Sequence, residues 1–196
     1  MKQAVFFMLN DYADWEGAYL SSKLNQSDDW IVKTVSINSE ITSIGGFRTT
    51  VDYQLNDISD DVDLLILIGG NSWSIENDKL KELLAKRLKS GLPTGSICGS
   101  VDYLARNGLL TGYKHTGNSQ YLWKDYDAYT NKNDFLMEQA VWDDNLVTAN
   151  GTAALDFTNL VIKMLHLLSD KEANQATDLY KLGFYKFCDK YGNPFA

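Results

Sequence analysis

Short apolar runs alternate along the chain with stretches of helical spacing, the pattern of an α/β domain built around a largely parallel sheet. Ala4-Val5-Phe6-Phe7-Met8-Leu9 predicts a buried first strand, Asp14 to Asn25 a helix opened by acidic residues, and Trp30 to Ile37 a second strand. Gly45-Gly46, between Ile41-Thr42 and Arg48-Thr49-Thr50-Val51, predicts a small antiparallel hairpin beside the sheet. Asp63 to Ile68 is the most continuous apolar run, the mark of a central strand covered on both faces. It stops at Gly69-Gly70-Asn71, before a helix from Ile75 to Lys89. Thr94 to Ile97 gives the next strand and Val101 to Asn107 the helix behind it. The strands ending at Leu9, Ile68 and Ile97 should open onto one crevice, where open α/β sheets bind their ligands.

Beyond Gly108 the pattern loosens as far as Asn133, in a stretch rich in Gly, Tyr and Asn that holds His115 and the aromatic segment Tyr121-Leu122-Trp123. Ala140-Val141-Trp142 and Leu146-Val147-Thr148 predict a late pair of strands turned by Asp143-Asp144-Asn145. An apolar helix follows from Ala153 to Leu168, and one amphipathic helix from Glu172 to Lys190. No linker interrupts the pattern. The expectation is one domain over residues 1–196, with residues 170–191 as a C-terminal helix that docks on the domain or on a partner subunit.

Composition narrows the function classes. With 196 residues, 44% of them hydrophobic, the chain can build a full core without disulfides. Its two cysteines, Cys98 and Cys188, lie far apart without CxxC spacing, and only two histidines occur. A disulfide framework or metal site is therefore not expected, and a reducing cytoplasm is. A formal charge of −8 without any Lys/Arg cluster argues against nucleic acid. Asn10-Asp11 cuts the first apolar run too early for a signal-peptide core, and no run approaches the roughly 18 residues of a membrane span, so no membrane partner is expected. The chain lacks both GxGxxG and GxxxxGK[ST], so no organic cofactor is expected either.

The candidate chemistry centres on Cys98. In Pro93-Thr94-Gly95-Ser96-Ile97-Cys98-Gly99-Ser100 a strand ends in a small-residue turn and runs into a helix. Such an elbow holds a side chain at the carboxyl edge of the sheet and at a helix N-terminus, where unpaired N–H groups and the helix dipole favour a thiolate. A free cysteine often fills a core, but a strand terminus followed by Gly-Ser is not where a filler is needed. Gly70 and Gly99 could supply oxyanion-hole N–H groups, because glycine lets backbone approach reacting atoms; a plain tight turn at Gly69-Gly70 is compatible with this. Asp102 could stabilise the elbow helix, while Cys188 and His166 read as packing or surface residues.

Several segments in order carry a resemblance: Ala13-Asp14-Trp15-Glu16-Gly17, Leu67-Ile68-Gly69-Gly70-Asn71, Ser96-Ile97-Cys98-Gly99, Leu109-Leu110-Thr111-Gly112 leading to His115-Thr116, and Asn150-Gly151-Thr152-Ala153-Ala154. Together they resemble the PfpI superfamily, over Ala4 to about Leu168. That group includes intracellular protease/amidase-like proteins and the parkinsonism-linked protein deglycase, and shares its flavodoxin-like sheet with class I glutamine amidotransferases. The resemblance implies a three-layer sandwich with a mostly parallel sheet, Cys98 as nucleophile, and Glu16 as a carboxyl group beside its sulfur that relays protons. Asp14 is the rival to Glu16. Residues two apart point in different directions on a helix, so only one of them faces Cys98 easily. His115 would act as base or shuttle, and a homodimer is implied.

Two departures matter. Gly99 stands where the protease-like members place a histidine, and Thr148-Ala149-Asn150-Gly151-Thr152 lacks the His-x-Glu pair of glutamine amidotransferases. Peptidase and glutaminase activity are therefore not implied. Three classes remain: a cysteine enzyme acting on a small carbonyl or amide compound, a redox-responsive stress protein with an oxidisable Cys98, and a non-catalytic binding module.

Overall fold

The computed structural model describes residues 1–196. Strand β1 (Lys2–Phe7) leads into α1 (Asp14–Asn25) and β2 (Trp30–Ser36). A hairpin of β3 (Glu40–Thr42) and β4 (Arg48–Thr50) follows, then the two-residue β5 (Tyr53–Gln54), β6 (Leu64–Leu67), α2 (Asp78–Lys89), β7 (Thr94–Ile97) and α3 (Gly99–Arg106). After a long irregular segment come β8 (Ala140–Asp143), β9 (Leu146–Ala149), α4 (Ala154–Met164), α5 (Asp170–Leu182) and α6 (Phe184–Tyr191).

The strands form one sheet in the order β5-β2-β1-β6-β7-β9-β8, while β3 and β4 pair antiparallel by themselves. All neighbours in the large sheet run parallel except β8, which pairs antiparallel with β9. Because side chains alternate across a strand, β1 sends Val5 and Phe7 to one face and Ala4 and Phe6 to the other. The first pair packs with Leu80 and Leu84 of α2 and with Val101 and Leu104 of α3. The second packs with Leu20 and Leu24 of α1 and with Phe157 and Val161 of α4. Helices therefore cover both faces, which explains why β1 and β6 read as unbroken apolar runs. This is the flavodoxin-like three-layer sandwich, and the small antiparallel hairpin stands beside it as expected.

Several local expectations change. The C-terminal helix is two helices, broken at Gly183, whose φ of 76° is a left-handed value that helix interiors do not use. The first half opens with a capping box, in which Ser169 and Glu172 satisfy each other's backbone N–H groups. The late strand pair forms as expected, and β9 also lies parallel against β7, so the pair extends the main sheet. Strand β5 was not foreseen: at two residues it is too short to show a periodicity. Arg87, fully buried on α2, donates to the carbonyls of Asp60, Val62 and Pro93 and so ties the loop before β6 to the one before β7. No helix is long and apolar enough to cross a membrane.

Candidate active site

The carboxyl ends of β1, β6, β7 and β9 point the same way, and the turns that leave them meet at Cys98. The connection from β1 to β2 runs to one side of the sheet and that from β6 to β7 to the other, so the crevice opens at this change of direction. Each turn contributes one piece: Glu16 in the first turn of α1, Gly69-Gly70 after β6, Cys98 after β7 and Gly151 after β9.

Cys98 is the N-cap residue of α3 and has φ 62° and ψ −129°. That conformation costs a non-glycine residue about 1–3 kcal/mol and survives only where the surroundings hold it. Here they do. The Cys98 N–H donates to the Ala149 carbonyl at 2.9 Å. Ser100 Oγ accepts from the Ile97 N–H at 2.9 Å and lies 2.9 and 2.8 Å from the carbonyls of Leu67 and Ile97. The elbow turns the half-buried thiol into the crevice.

Glu16 is fully buried. Its Oε2 accepts from the Gly69 N–H at 2.7 Å, while Oε1 has no hydrogen-bond partner of good geometry. Oε1 lies against the sulfur: a Cβ built on Gly151 would sit 2.8 Å from Cys98 Sγ and 3.3 Å from Glu16 Oε1. On the other side, a Cβ at Gly69 would lie 2.5 Å from Cys98 Cβ and 2.7 Å from Glu16 Oε2. Only glycine at both positions lets the carboxyl and the thiol meet. Asp14, the rival acid, instead accepts from the Gly45 N–H at 2.8 Å and anchors the hairpin turn.

Burial raises the Glu16 carboxyl to about 7, against the opposing pull of hydrogen bonds from Cys98 and Gly69. Burial also pushes the Cys98 thiol up, and the Glu16 charge adds to this; Asn118 and the Gly99 N–H pull the other way. The depressed thiol that the elbow alone implied is therefore not what the packed site gives. The two acids titrate as a pair, and a thiolate forms most readily while Glu16 is neutral.

The Gly70 N–H makes no hydrogen bond within the protein. The Gly99 N–H is directed at the sulfur. A side chain at Gly99 would strike the Gly70 carbonyl at 2.7 Å, so the two turns are in contact.

His115 is not brought to the sulfur. It is fully buried, with Nδ1 2.7 Å from the Tyr113 carbonyl and Nε2 2.8 Å from the Tyr129 hydroxyl, inside a cluster with Trp123 and Phe135. A carbonyl can only accept, so Nδ1 carries the hydrogen and Nε2 accepts from Tyr129. Burial lowers the His115 pKa and keeps the ring neutral. The residue of this segment that does reach the thiol is Asn118, whose Nδ2 lies 3.3 Å from Cys98 Sγ. Sequence reasoning passed it over because an amide neither titrates nor binds metal and so carries no catalytic signature. Its nearness to His115 within the Gly-rich segment was the available clue.

Of the other residues singled out, Asp102 accepts from Trp123 Nε1 at 2.6 Å and does not engage the thiol. His166 is exposed just after α4, and Cys188 is half-buried in α6. No group of three or more His, Cys, Asp or Glu side chains could hold a metal ion. Asn118 and Asn150 also line an open groove of about 460 Å³ with Gln120, Tyr121, Met137 and Gln139.

A cysteine elbow facing a buried carboxyl across paired glycines, on this sheet, agrees with the comparison of the whole chain. Residues 2–164 match the DJ-1/PfpI family. The chain belongs to that family. It is 50% identical over 195 residues to a Bacillus subtilis protein named "Uncharacterized protease YdeA", covering 100% of this chain and 99% of that one. A second B. subtilis protein, "Uncharacterized protease YoaZ", is 32% identical over 179 residues, 86% of this chain and 85% of the other. Among solved structures, a thiJ/pfpI family protein from Bacillus anthracis superposes with TM-score 0.89 at 32% identity, over 96% of this chain and 94% of its own. A DJ-1 superfamily protein from Agrobacterium tumefaciens gives TM-score 0.84 at 26% identity, over 93% and 99%.

Proposed function

We propose that this member of the DJ-1/PfpI family is a cysteine-dependent enzyme acting on a small carbonyl or amide compound. The observation that carries the reading is the buried Glu16 carboxyl, with one oxygen unpartnered against the Cys98 sulfur at a strained elbow. In the reaction the Cys98 thiolate adds to the carbonyl carbon, and the C=O electron pair moves onto oxygen, within reach of the Gly70 and Gly99 N–H groups. Neutral Glu16 gives its proton to that oxygen and leaves a tetrahedral adduct, which for an aldehyde is a hemithioacetal. A carboxyl raised to about 7 suits this, because it both gives and takes a proton near neutral pH.

The B. subtilis relatives are named proteases. Peptide hydrolysis is not part of this reading, because Gly99 follows Cys98 and both nitrogens of His115 are engaged elsewhere. Turnover over a panel of α-oxoaldehydes and small amides tests the proposal: activity should vanish in Cys98→Ser and in Glu16→Leu. A purified chain that turns over none of them, with Cys98 still open to alkylation, would sink it.

The unpartnered Glu16 oxygen also favours a second reading, in which Cys98 is oxidised to a sulfinate that a protonated Glu16 and nearby N–H groups hold. Mild peroxide followed by mass spectrometry should then oxidise Cys98 ahead of Cys188; equal oxidation of both removes this reading. A reducing cytoplasm is part of the same proposal, since this reading needs Cys98 as a free thiol. A homodimer belongs to the same proposal, with exposed Tyr180, Phe184, Tyr185 and Phe195 as an apolar surface to cover. Sedimentation at micromolar concentration tests it, and a monomer would overturn it.

A further inference from the structure

Asn118 holds the sulfur and the turn after β9 at the same time. Its Nδ2 lies 3.3 Å from Cys98 Sγ, and its Oδ1 accepts from the Gly151 N–H at 2.9 Å. The second bond settles the orientation of the first. A backbone N–H can be met only by the amide oxygen, so flipping the side chain would set two donors face to face. Gly151 is held through its carbonyl as well, since Trp15 Nε1 donates to it at 3.0 Å. The sulfur therefore faces a fixed N–H donor in addition to Glu16.

We propose that Asn118 is a catalytic residue of this site: its amide, locked by Gly151, donates to Cys98 Sγ and stabilises the thiolate, against the burial and the neighbouring carboxyl that hold the proton on sulfur. This rests on the reading of Cys98 as the nucleophile. It also deepens that reading, because an amide cannot take up a proton. Of the elements packed around the sulfur, α1 brings the ionisable Glu16, the turns after β6 and β9 bring Gly69, Gly70 and Gly151, and the segment before β8 brings Asn118. Asp102, on α3 itself, is occupied by Trp123 and by the Arg106 charge. Glu16 is then the one group available to move a proton, and no second base stands ready to activate water. Within the proposed function this favours reversible thiol addition to a carbonyl over amide turnover, whose acyl-enzyme must be cleaved by an activated water. In that addition one S–C bond forms, the C=O π pair becomes an oxygen lone pair, and the Glu16 proton closes the balance.

The test is the pH profile of Cys98 alkylation by iodoacetamide in the full chain, with Cys98→Ser as the control for Cys188. Asn118→Ala removes the donor without adding charge, and should slow alkylation at pH 7 about threefold and move the midpoint upward. Asn118→Asp keeps the shape and the bond from Gly151 but replaces the donor with a negative charge, and should slow it about tenfold or more. The order wild type, then Ala, then Asp supports the proposal. A wild-type profile in Asn118→Ala, with unchanged circular dichroism and melting, overturns it and reduces Asn118 to a structural link. If one variant does not fold, the other carries the test by the same readout. Because alkylation needs no substrate, the two readings fail separately. A profile shifted in this order without any carbonyl turnover supports the role of Asn118 and removes the proposed enzyme activity.

Discussion

Replacing Glu16 by glutamine tests whether its carboxyl holds a proton inside the folded chain. Glutamine has nearly the same shape and can still accept from the Gly69 N–H, but it cannot ionise. Burial raises the Glu16 pKa to about 7, against an ordinary value of 4.5. At about 1.4 kcal/mol per pH unit, that gap places about 3 kcal/mol of unfavourable ionisation in the folded state. Between pH 4.5 and 7 the unfolded chain gives up the proton while the folded chain keeps it. Wild-type stability should therefore fall across that window relative to Glu16→Gln, by about 1.4 kcal/mol per pH unit, and level off above it. Burial pushes the Cys98 thiol up, so its titration stays outside the window. The assay is denaturant unfolding, followed by tryptophan fluorescence, of both proteins at steps from about pH 4 to 8. Stability differences that stay constant with pH would refute the protonated carboxyl and the proton relay built on it.

A methyl group at Gly151 would lie 2.8 Å from Cys98 Sγ. Overpacking of this kind costs about 1–3 kcal/mol, so Gly151→Ala should slow Cys98 alkylation about tenfold or more and leave Cys188 unaffected; an unchanged rate would mean that the turn yields freely. At φ 62° and ψ −129° glycine is at ease where alanine is not. Cys98→Gly should then be about 1 kcal/mol more stable than Cys98→Ala in denaturant unfolding, and the reverse order would show an unstrained elbow. Arg87→Met leaves the carbonyls of Asp60, Val62 and Pro93 without their buried donor. A loss of about 3 kcal/mol, seen as a melting point lower by roughly 6–12 °C, is expected, and a drop under about 2 °C would count against the clamp. His115→Phe keeps the aromatic packing but abandons the partners at Tyr113 and Tyr129. It should cost about 1–2 kcal/mol in unfolding and leave the Cys98 pH profile as it is, whereas a shifted profile would place His115 in the site.

The layer order, the parallel sheet and the placing of Cys98 at a strand-to-helix elbow were legible in the chain, because each depends on local spacing. Short apolar runs bounded by turn residues read as strands covered on both faces, and a strand that stops at Cys98-Gly99-Ser100 reads as an elbow. Helical geometry said only that one of Glu16 and Asp14 could face Cys98, and the family resemblance pointed to Glu16; in the structure Glu16 lies beside the thiol and Asp14 meets Gly45. Other features depended on which distant turns come together, and no local pattern encodes that. Asn118, not His115, reaches the sulfur, because the segment before β8 buries the histidine in an aromatic cluster and leaves the amide at the crevice. The thiol is pushed up rather than down, because desolvation and the Glu16 charge outweigh the helix terminus and the donated N–H groups. Charge in a site is set by what excludes water from it, and only the folded chain determines that.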